Sequence, residues 1–547
     1  MNITTKLDHI SSDFITQYLT ALGIEDIKHY LKPIKKNFED PWNYPHIDEA
    51  CEILKWYIDN NAHIGIIIDS DMDGACSAGL IYNFLMRLEV NKDLIHIYHH
   101  EGKQHGIKDL LDDIITTNGK HSLLIVPDAG SNDNNECYLL NEATIEVLVL
   151  DHHIMEQPNI HAFVVNNQYN EVNNHALSGT GVVDKFVRAY CDKYKITYPN
   201  YTDLVAVSLV TDVCDLTTME NRAYLYYGLN NITNSFLAYL FEKCCKRRGY
   251  TPNAIGWDIG PLGNALARSD EQESKTLFFD GLVGIISPEE ALKEMRKVKR
   301  TQDDEVKAVV SEIEPNLDFS AKVIVGFTQP ENASFTGLIA NKFTGKYNKP
   351  TILLRDTGYD SWSGSLRSPV PLATKINEGG IAKAQGHEEA CGVIVKKNKL
   401  DEFIAWLEAL DLSNRPDIPV TACAKAEDIT LKLCETIEKN KDLWGKGIDN
   451  PVFYIKTILI QDNVFVFEKS TTTLKLDIGG VNCLKFFARP EDVEAFRKYN
   501  EFEVELIVGE LSVNEYEGVK TPQCIIQDYE ITEIKRSVTK ENWEESF

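Results

Sequence analysis

Short apolar runs alternate with amphipathic stretches over the first half of the chain. Five runs rich in β-branched residues cover 63–69, 94–100, 122–128, 145–153 and 162–167. Continuous apolar runs separated by helical segments are typical of a mostly parallel sheet covered by helices on both faces. A sixth run, LVAVSLVTDV at 204–213, fits either another strand or a buried helix. The pattern predicts an α/β domain at 49–235.

The same patterning divides the rest of the chain. Short amphipathic pieces predict a small helical extension before the α/β domain, and a long charged helical stretch predicts a helical bridge after it. A second, smaller α/β unit follows, then the Pro-bounded linker SNRPDIP, then closely spaced short strands that predict a small barrel or sandwich. In chain order these segments are 1–48, 236–318, 319–412, 413–419 and 420–547.

Composition limits the partners and the cellular location that we expect for the protein. The formal net charge is −27, which argues against a broadly basic nucleic-acid-binding surface but leaves room for a local basic groove. The 12 cysteines are scattered and form no CxxC pair, which disfavours a zinc ribbon or a disulfide framework. The N-terminus shows no signal peptide, and no apolar run approaches the about 18 residues of a membrane helix. We therefore expect a soluble, cytoplasmic protein without membrane contacts.

Metal-type ligands follow the apolar runs of the first α/β domain. In open α/β sheets, ligands bind outside the carboxyl ends of the strands. Side chains that follow several such runs should therefore converge at one edge of the sheet. The residues are Asp69, Asp71, Asp73, Asp128, Asp151, His152, His153 and Asp212.

Each of these residues also has a simpler interpretation. A single Asp after a strand is most often a turn or helix-cap residue, and a lone buried His is more often a hydrogen-bonded core residue. The D-x-D-x-D-G pattern at 69–74 matches the first half of a calcium loop, but Leu80 stands where an EF-hand needs a bidentate Glu, and the preceding segment is a predicted strand. The EF-hand is therefore rejected, and only the whole set indicates a metal site.

The chemistry of the set favours hard metal ions. Carboxylates with one or two imidazoles and no thiolate suit Mn²⁺ or Mg²⁺ better than zinc. The ligands are numerous enough for two ions, and a carboxylate shared by two ions about 3.5–4 Å apart is the usual arrangement for phosphoryl hydrolysis. The sequence thus predicts metal-assisted hydrolysis of a phosphodiester or phosphoanhydride.

The motifs resemble a known family. DSDMDG, VPDAG, VLDHH and VTDVCDL occur in the order found in the DHH phosphoesterase superfamily, which is named for the triplet at 151–153. Further segments resemble motifs of the RecJ-like exonucleases, their DHHA1 domain and their oligonucleotide-binding (OB) barrel. These segments are IGWDIGPLGNALARS (255–269), GLIANKFTGKYNKP (337–350), GSLRS (364–368), QGHEEACG (385–392) and GELSVNEYEGVKTPQCIIQDYE (509–530).

The resemblance implies a role for each matching residue. Two Mn²⁺ or Mg²⁺ ions would be held by Asp71, Asp73, Asp128, His152 and Asp212, with Asp69 beside them. Asp128 would bridge the ions, His153 would contact the scissile phosphate, and Asp151 would orient a neighbouring histidine. From the DHHA1 domain at 319–412 and from the bridge, the nucleotide would be held by Ser365, Arg367, Gly386, His387, Asn264 and Arg268.

Some positions depart from the family pattern. Leu262 and Leu266 replace an Arg and a Gly of the bridge motif, and Lys342 replaces an Arg. Gln385 and Cys391 replace a Gly and an Ala in the DHHA1 domain. All these changes lie on the substrate side, so the choice of strand end and substrate length is open. A divergent member encoded by a phage or mobile element is our hypothesis.

The expected activity is 5′-to-3′ hydrolysis of single-stranded DNA, with the polarity implied by the resemblance alone. A monomer, with a single-strand-binding protein as partner, is expected by analogy. One alternative is a phosphodiesterase of short oligonucleotides or cyclic dinucleotides, against which the barrel argues. Another is a non-catalytic DNA-binding scaffold, against which the retained ligands argue. Such barrels combine a basic groove with aromatic rings that stack on bases, and the candidate contributors are Phe486, Phe487, Tyr516 and Lys485, unless the three aromatic residues form the barrel core.

Overall fold

The computed structural model describes residues 1–101, 104–269, 271–412, 417–468 and 471–534. Part of the predicted linker, 413–416, and the end of the predicted barrel segment, 535–547, lie outside the described residues. In the described part of the chain, no helix has the length and apolar character needed to cross a membrane.

The chain begins with a strand and two helices. These are β1 (Ile3–Leu7), α1 (Phe14–Ala21) and α2 (Ile27–Leu31).

The first α/β domain follows, with a five-stranded parallel sheet in the order β3-β2-β4-β5-β6. The central strands β2 and β4 are buried along their whole length, as continuous apolar runs predict. Its elements are α3 (Ile47–Asp59), β2 (Ile64–Ile68), α4 (Met72–Arg87), β3 (Ile95–His99), α5 (Leu111–Thr117), β4 (Ser122–Pro127), α6 (Asn134–Glu142), β5 (Ile145–Asp151), β6 (Phe163–Asn166), α7 (Gly179–Lys193), α8 (Thr202–Thr211) and α9 (Met219–Asn230).

Both faces of this sheet are covered. Ile66 and Ile68 of β2 pack into one core with α3, α4 and α7, whereas Ile67 packs into a second core with α5 and α6. The predicted α/β architecture is confirmed. The ambiguous run at 204–213 is a helix, because α8 spans Thr202–Thr211 and leaves Asp212 at its C-cap.

The bridge is helical, as the sequence predicts. Ser287 caps the longest helix by accepting a hydrogen bond from the Glu290 backbone N–H, and a proline occupies the first helical turn. A π-helical turn, Ile255–Ile259, joins α11 to α12. The helices are α10 (Ser235–Cys244), α11 (Pro252–Ala254), α12 (Gly260–Ala267), α13 (Gln272–Lys275), α14 (Leu277–Leu282) and α15 (Pro288–Ile313).

The second α/β unit contains a mixed sheet in the order β10-β11-β9-β8-β7, in which β7 and β8 are parallel and the other neighbours antiparallel. Its elements are β7 (Ile324–Thr328), α16 (Thr336–Tyr347), β8 (Thr351–Asp356), β9 (Ser361–Arg367), α17 (Ala373–Gly379), β10 (Ala382–His387), β11 (Ala390–Lys396) and α18 (Leu400–Ala409).

The C-terminal unit is β-rich, as predicted, and its sheet runs in the order β1-β12-β13-β17-β18-β16-β15-β14. Its remaining elements are β12 (Ile418–Ala424), α19 (Leu431–Lys439), β13 (Phe453–Ile460), β14 (Val464–Glu468), β15 (Thr472–Ile478), β16 (Val481–Phe486), α20 (Pro490–Arg497), β17 (Glu501–Tyr516) and β18 (Val519–Glu533).

The prediction of a purely helical extension at 1–48 is wrong. Strand β1 forms the edge of the C-terminal sheet, with Ile3 paired to Ile418, and Phe14 and Tyr18 of α1 pack into the same core as Phe453. In β1 only Leu7 is buried. A five-residue edge strand with one buried side chain gives no clear periodic signal, which explains the error.

Candidate metal centre

The first three aspartates lie at the junction of β2 and α4. The strand ends at Ile68, so all three aspartates lie beyond it. Asp71 caps α4 by accepting a hydrogen bond from the Gly74 N–H at 3.0 Å, and Asp73 lies in the first helical turn. A side chain at Gly74 would come within 2.5 Å of the Asp69 Cβ. Glycine therefore allows the close turn that brings the three carboxylates together.

Asp128 follows β4 in a conformation that few non-glycine residues adopt. Its φ is 66°, and its backbone N–H donates to the Leu150 carbonyl at 2.9 Å. Across the site, Val213 has a φ of 57°, directly after Asp212. A β-branched residue in this region is strained, and such strain is commonly retained where a functional geometry demands it.

Asp151 ends β5 and acts as an acceptor for the residues that follow it. Its carboxylate accepts hydrogen bonds from the backbone N–H groups of His152, His153 and Ser131 at 2.7, 3.1 and 3.2 Å. It also lies 2.8 Å from the His153 Nδ1. This arrangement fixes the orientation of the His153 ring.

Asp151 and His153 each stabilise the charged form of the other. The hydrogen bond to Asp151 raises the pKa of His153 to about 9. Burial alone would raise the pKa of Asp151, but the hydrogen bond and charge of His153 and the charge of His152 outweigh burial and hold that pKa below its usual value.

The predicted ligands converge in three overlapping groups. Within each group, the possible ligand atoms lie within 4.8 Å of one another. Asp128 and His152 each belong to two groups, and the His152 Nε2 is 3.2 Å from Asp128 Oδ1 and 3.8 Å from Asp212 Oδ2. The groups are Asp69 with Asp71 and Asp128; Asp73 with His152 and Asp212; and Asp128 with Asp151, His152 and His153.

Unpartnered carboxylate oxygens indicate that this centre fits divalent cations. Oδ1 of Asp69 and Oδ1 of Asp128 are buried without a hydrogen-bond partner among the described residues. Leaving such atoms unsatisfied is costly, so a missing positive partner is the natural explanation. Oxygen ligands with one or two imidazoles suit Mn²⁺ or Mg²⁺.

The pKa values of the cluster agree with a missing positive partner. Burial raises the pKa of Asp128 well above its usual value, and the charges of Asp73 and Asp71 act in the same direction. Burial also raises the pKa of Asp73 to about 6, although the charge of His152 opposes it. The pKa of Asp212 is raised for the same main reason. A bound cation would relieve this repulsion and favour the ionised carboxylates.

The substrate-side residues predicted in the second α/β unit lie on two strands of the same sheet. Ser365 and Arg367 are on β9, Gly386 and His387 are on β10, and β11 separates the two strands. A side chain at Gly337 would come within 2.6 Å of the Arg367 Nη2, so the start of α16 leaves room for this guanidinium.

Two cationic side chains face each other between the bridge and this unit. Arg268, at the C-cap of α12, has its pKa lowered by burial and by the charge of Arg367. Its Nη1 donates to the Asn264 carbonyl at 3.0 Å, and the Asn264 side chain is exposed. Two arginines that repel each other form a ready site for an anion such as phosphate.

Family models match two parts of the chain. Residues 63–209 match the DHH family, N-terminal domain, and residues 421–528 match the RecJ OB domain. The first match contains the strands that carry most of the candidate ligands, and the second contains most of the C-terminal sheet. A relative provisionally named SPbeta prophage-derived single-strand DNA-specific exonuclease YorK, from Bacillus subtilis (strain 168), is 28% identical over 96% of this chain and 97% of its own length. RecJ of the same organism is 24% identical over 93% of this chain and 66% of its own length.

Solved structures have a fold similar to that of this chain. RecJ from Thermus thermophilus in complex with Mn²⁺ has a TM-score of 0.72 and 20% identity, and the match covers 95% of this chain and 76% of that one. The Mg²⁺ complex of the same protein gives a TM-score of 0.66 at 19% identity, over 94% of this chain and 75% of that one. These similarities confirm the predicted fold class.

The candidate metal centre contains histidines that the sequence analysis missed. The His105 Nδ1 lies 2.6 Å from Asp69 Oδ2, a hydrogen bond that raises the pKa of His105. The His100 Nε2 lies 3.7 Å from Asp69 Oδ1, and its Nδ1 is 2.9 Å from the Asp109 carboxylate. His100 ends the apolar run 94–100, so the rule that located the other ligands could have found it. His105 lies in the loop beyond that run, and no pattern marks it.

Proposed function

We propose that the protein is a metal-dependent exonuclease that hydrolyses single-stranded DNA from the 5′ end with two divalent ions. The supporting observation is the convergence of the predicted ligands around Asp128, whose Oδ1 is buried without a hydrogen-bond partner among the described residues. Bound ions would lower the pKa of water to give a hydroxide and would stabilise charge on the phosphate.

The side chains around the ions would have different roles. Asp128 belongs to two ligand groups and is our candidate for the bridging carboxylate. His152 would complete a group with Asp73 and Asp212. His153, held by Asp151, would donate a hydrogen bond to the scissile phosphate, because a ring with a pKa of about 9 remains protonated at neutral pH. In this proposal, Asp151 orients His153.

The C-terminal sheet supports a long single strand as substrate. Strands β14, β15 and β16 are neighbours, and the register places Phe467 opposite Thr473 and Thr473 opposite Phe486. Phe467 and Phe486 are 50% and 46% exposed, and Phe487 is 76% exposed. Aromatic rings that are open to solvent on adjacent strands are suited to stacking on bases.

These exposures argue against core packing for the aromatic residues named from the sequence. Phe486, Phe487 and Tyr516 are all exposed, so the alternative that they form the barrel core is wrong. Lys485 lies over the Tyr529 ring at 5.4 Å. Lys475 lies over the Phe465 ring at 5.2 Å and adds positive charge next to the exposed phenylalanines.

Both alternatives are less well supported. A phosphodiesterase restricted to short oligonucleotides or cyclic dinucleotides would not need an aromatic surface on a separate domain. A non-catalytic scaffold would not need Asp128 and Val213 in costly backbone conformations beside a complete ligand set. Relatives named single-strand DNA-specific exonucleases favour the same proposal. Monomeric action with a single-strand-binding protein stays a prediction.

The test is a degradation assay with Mn²⁺ or Mg²⁺ and with EDTA as the metal-free reference. Single strands labelled at the 5′ or the 3′ end, blunt duplexes and dinucleotides are compared. We expect mononucleotides to be released from the 5′ end of single strands, and Asp128→Asn and His152→Gln to lose the activity. Asp59→Asn, a change of an exposed carboxylate paired with Lys55 at the end of α3, is the matched control.

Two results would contradict the proposal. If the wild-type protein leaves every labelled single strand intact with either metal, it is not an exonuclease. If it cuts dinucleotides but not longer strands, the short-substrate alternative is correct. Release of the 3′ label as the first mononucleotide product would overturn the polarity alone.

A further inference from the structure

The first aspartate of the centre holds a histidine that lies outside the ligand groups. The His105 Nδ1 is 2.6 Å from Asp69 Oδ2. The Asp69 side chain is buried, whereas the His105 side chain is 52% exposed. The carboxylate thus fixes the orientation of the ring through one nitrogen and leaves the other nitrogen, Nε2, unengaged by Asp69.

The same arrangement occurs at the DHH triplet. The His153 Nδ1 lies 2.8 Å from Asp151 Oδ1, Asp151 is buried, and the His153 side chain is also 52% exposed. Asp69 follows β2 and Asp151 ends β5, and these two strands flank β4, which carries Asp128 at its end. Two equivalent carboxylate–imidazole pairs therefore stand on the same sheet edge, one on each side of Asp128.

The loop that carries His105 is attached to the domain at several points. The Ser70 hydroxyl donates to the Gln104 carbonyl at 2.6 Å. The Ile107 N–H donates to Asp133 Oδ2 at 2.8 Å, and the Ile107 side chain is fully buried. These contacts bracket His105 on both sides in sequence. Its place beside Asp69 is therefore set by the loop as well as by its own hydrogen bond.

His100 does not take the place of this partner. The His100 Nδ1 contacts the Asp109 carboxylate at 2.9 Å, and its Nε2 lies 3.7 Å from Asp69 Oδ1, beyond hydrogen-bond distance. Oδ1 has no hydrogen-bond partner among the described residues and is open to a cation, while Oδ2 contacts His105.

We propose that His105 is a second phosphate-binding histidine, which acts with His153 from the opposite side of Asp128. This inference rests on the proposed phosphodiesterase function. The centre is rich in carboxylates, so an anionic substrate needs cationic donors as well as metal ions to approach it. The contact to Asp69 engages Nδ1 and leaves Nε2 of the half-exposed ring as the nitrogen that can reach a phosphate oxygen.

The test separates phosphate contact from the support of Asp69. His105→Gln keeps an amide N–H that can donate to Asp69 but removes the imidazole, whereas His105→Ala removes both. His161→Gln is the matched control, because His161 packs on Tyr138 just before β6, at the opposite end of the sheet. Three quantities are measured on the full chain: kcat/KM on a 5′-phosphorylated single strand, the Mn²⁺ dissociation constant, and the affinity of the Mn²⁺-loaded protein for inorganic phosphate.

For His105→Gln we expect kcat/KM and phosphate affinity to fall by about tenfold or more, since a hydrogen bond to a charged group contributes on that scale. Its Mn²⁺ dissociation constant should stay within about twofold of wild type, as should all three quantities for His161→Gln. For His105→Ala we expect weaker Mn²⁺ binding as well, because Asp69 loses its donor.

The inference is overturned if His105→Gln retains wild-type kcat/KM and phosphate affinity while His105→Ala loses activity, since His105 would then only support Asp69. It is also overturned if neither variant differs from wild type. If the wild type degrades no DNA but still binds phosphate in the presence of Mn²⁺, the proposed function fails, and the phosphate affinity of His105→Gln still decides the role of His105. A wild type that neither degrades single strands nor binds phosphate with Mn²⁺ overturns both.

Discussion

The buried carboxylates should make the metal-free protein less stable as the pH rises, and Asp73 gives the size of the effect. Its pKa rises from 3.8 to about 6 on folding because the side chain is buried. Such a change corresponds to about 3 kcal/mol, at 1.36 kcal/mol for each tenfold change in proton affinity. The folded-state pKa is the higher one, so this stability is fully present below pH 3.8 and is lost as the pH rises through about 6.

The perturbation is Asp73→Asn, which stays neutral at every pH. The amide cannot accept from both Gly179 N–H and Thr180 N–H as the carboxylate does, at 2.8 and 2.9 Å, so the variant loses some stability throughout. That loss does not depend on pH. In EDTA, we expect the free energy of unfolding of the variant to rise by about 3 kcal/mol relative to wild type between pH 4 and pH 6.5. For a domain of this size, that corresponds to about 6–12 °C in Tm.

The assay is thermal unfolding of both proteins in EDTA across this pH range, with Asp59→Asn as the exposed control. Asp73, Asp128 and Asp212 belong to overlapping ligand groups, so their protons are shared and the about 3 kcal/mol describes the cluster. At pH 7, saturating Mn²⁺ should give the wild type a higher Tm than Asp73→Asn, because the ion stabilises only a folded protein that retains its ligands. A Tm difference that stays constant from pH 4 to 6.5, or that shifts equally for the control, would refute the reasoning.

Three further changes test other parts of the structure. Phe467→Ala with Phe486→Ala should weaken binding of a long single strand by about tenfold or more in a fluorescence anisotropy titration, since base stacking contributes about 1–3 kcal/mol per ring, while dinucleotide cleavage stays unchanged. Gly74→Ala should reduce Mn²⁺ affinity in a calorimetric titration, because the new methyl group would meet Asp69 at 2.5 Å, whereas Gly345→Ala faces open space and should keep it. Arg367→Gln should raise KM for single strands and make their binding less dependent on salt, with Mn²⁺ affinity unchanged.

Much of the centre was predictable because parallel strands share one carboxyl edge. Asp69, Asp128 and Asp151 directly follow apolar runs, and this position alone brings them together. Asp212 lies in a ligand group with Asp73 and His152 although the run before it is a helix, because the C-terminus of α8 also reaches this edge.

The parts that sequence patterns missed depend on contacts between distant or irregular segments. His105 lies in a loop whose path is set by the Ser70 and Asp133 contacts, and neither leaves a periodic signal in the sequence. The pairing of β1 with β12 joins the N-terminal segment to the C-terminal unit. The single buried side chain of β1 does not identify β12 as its partner. The two strands pair through backbone hydrogen bonds, which leave no pattern in the sequence.

The centre also links metal binding to the folding of the whole α/β domain. Asp71 and Asp73 come from the start of α4, Asp128 from the end of β4, His152 from the residues after β5, and Asp212 from the end of α8. In the unfolded chain these residues are far apart, so the complete centre forms only when the domain folds. The burial and the carboxylate repulsion that raise the pKa of Asp128 are present only in the folded domain. Ions that bind there therefore stabilise the fold by removing a cost that folding itself creates.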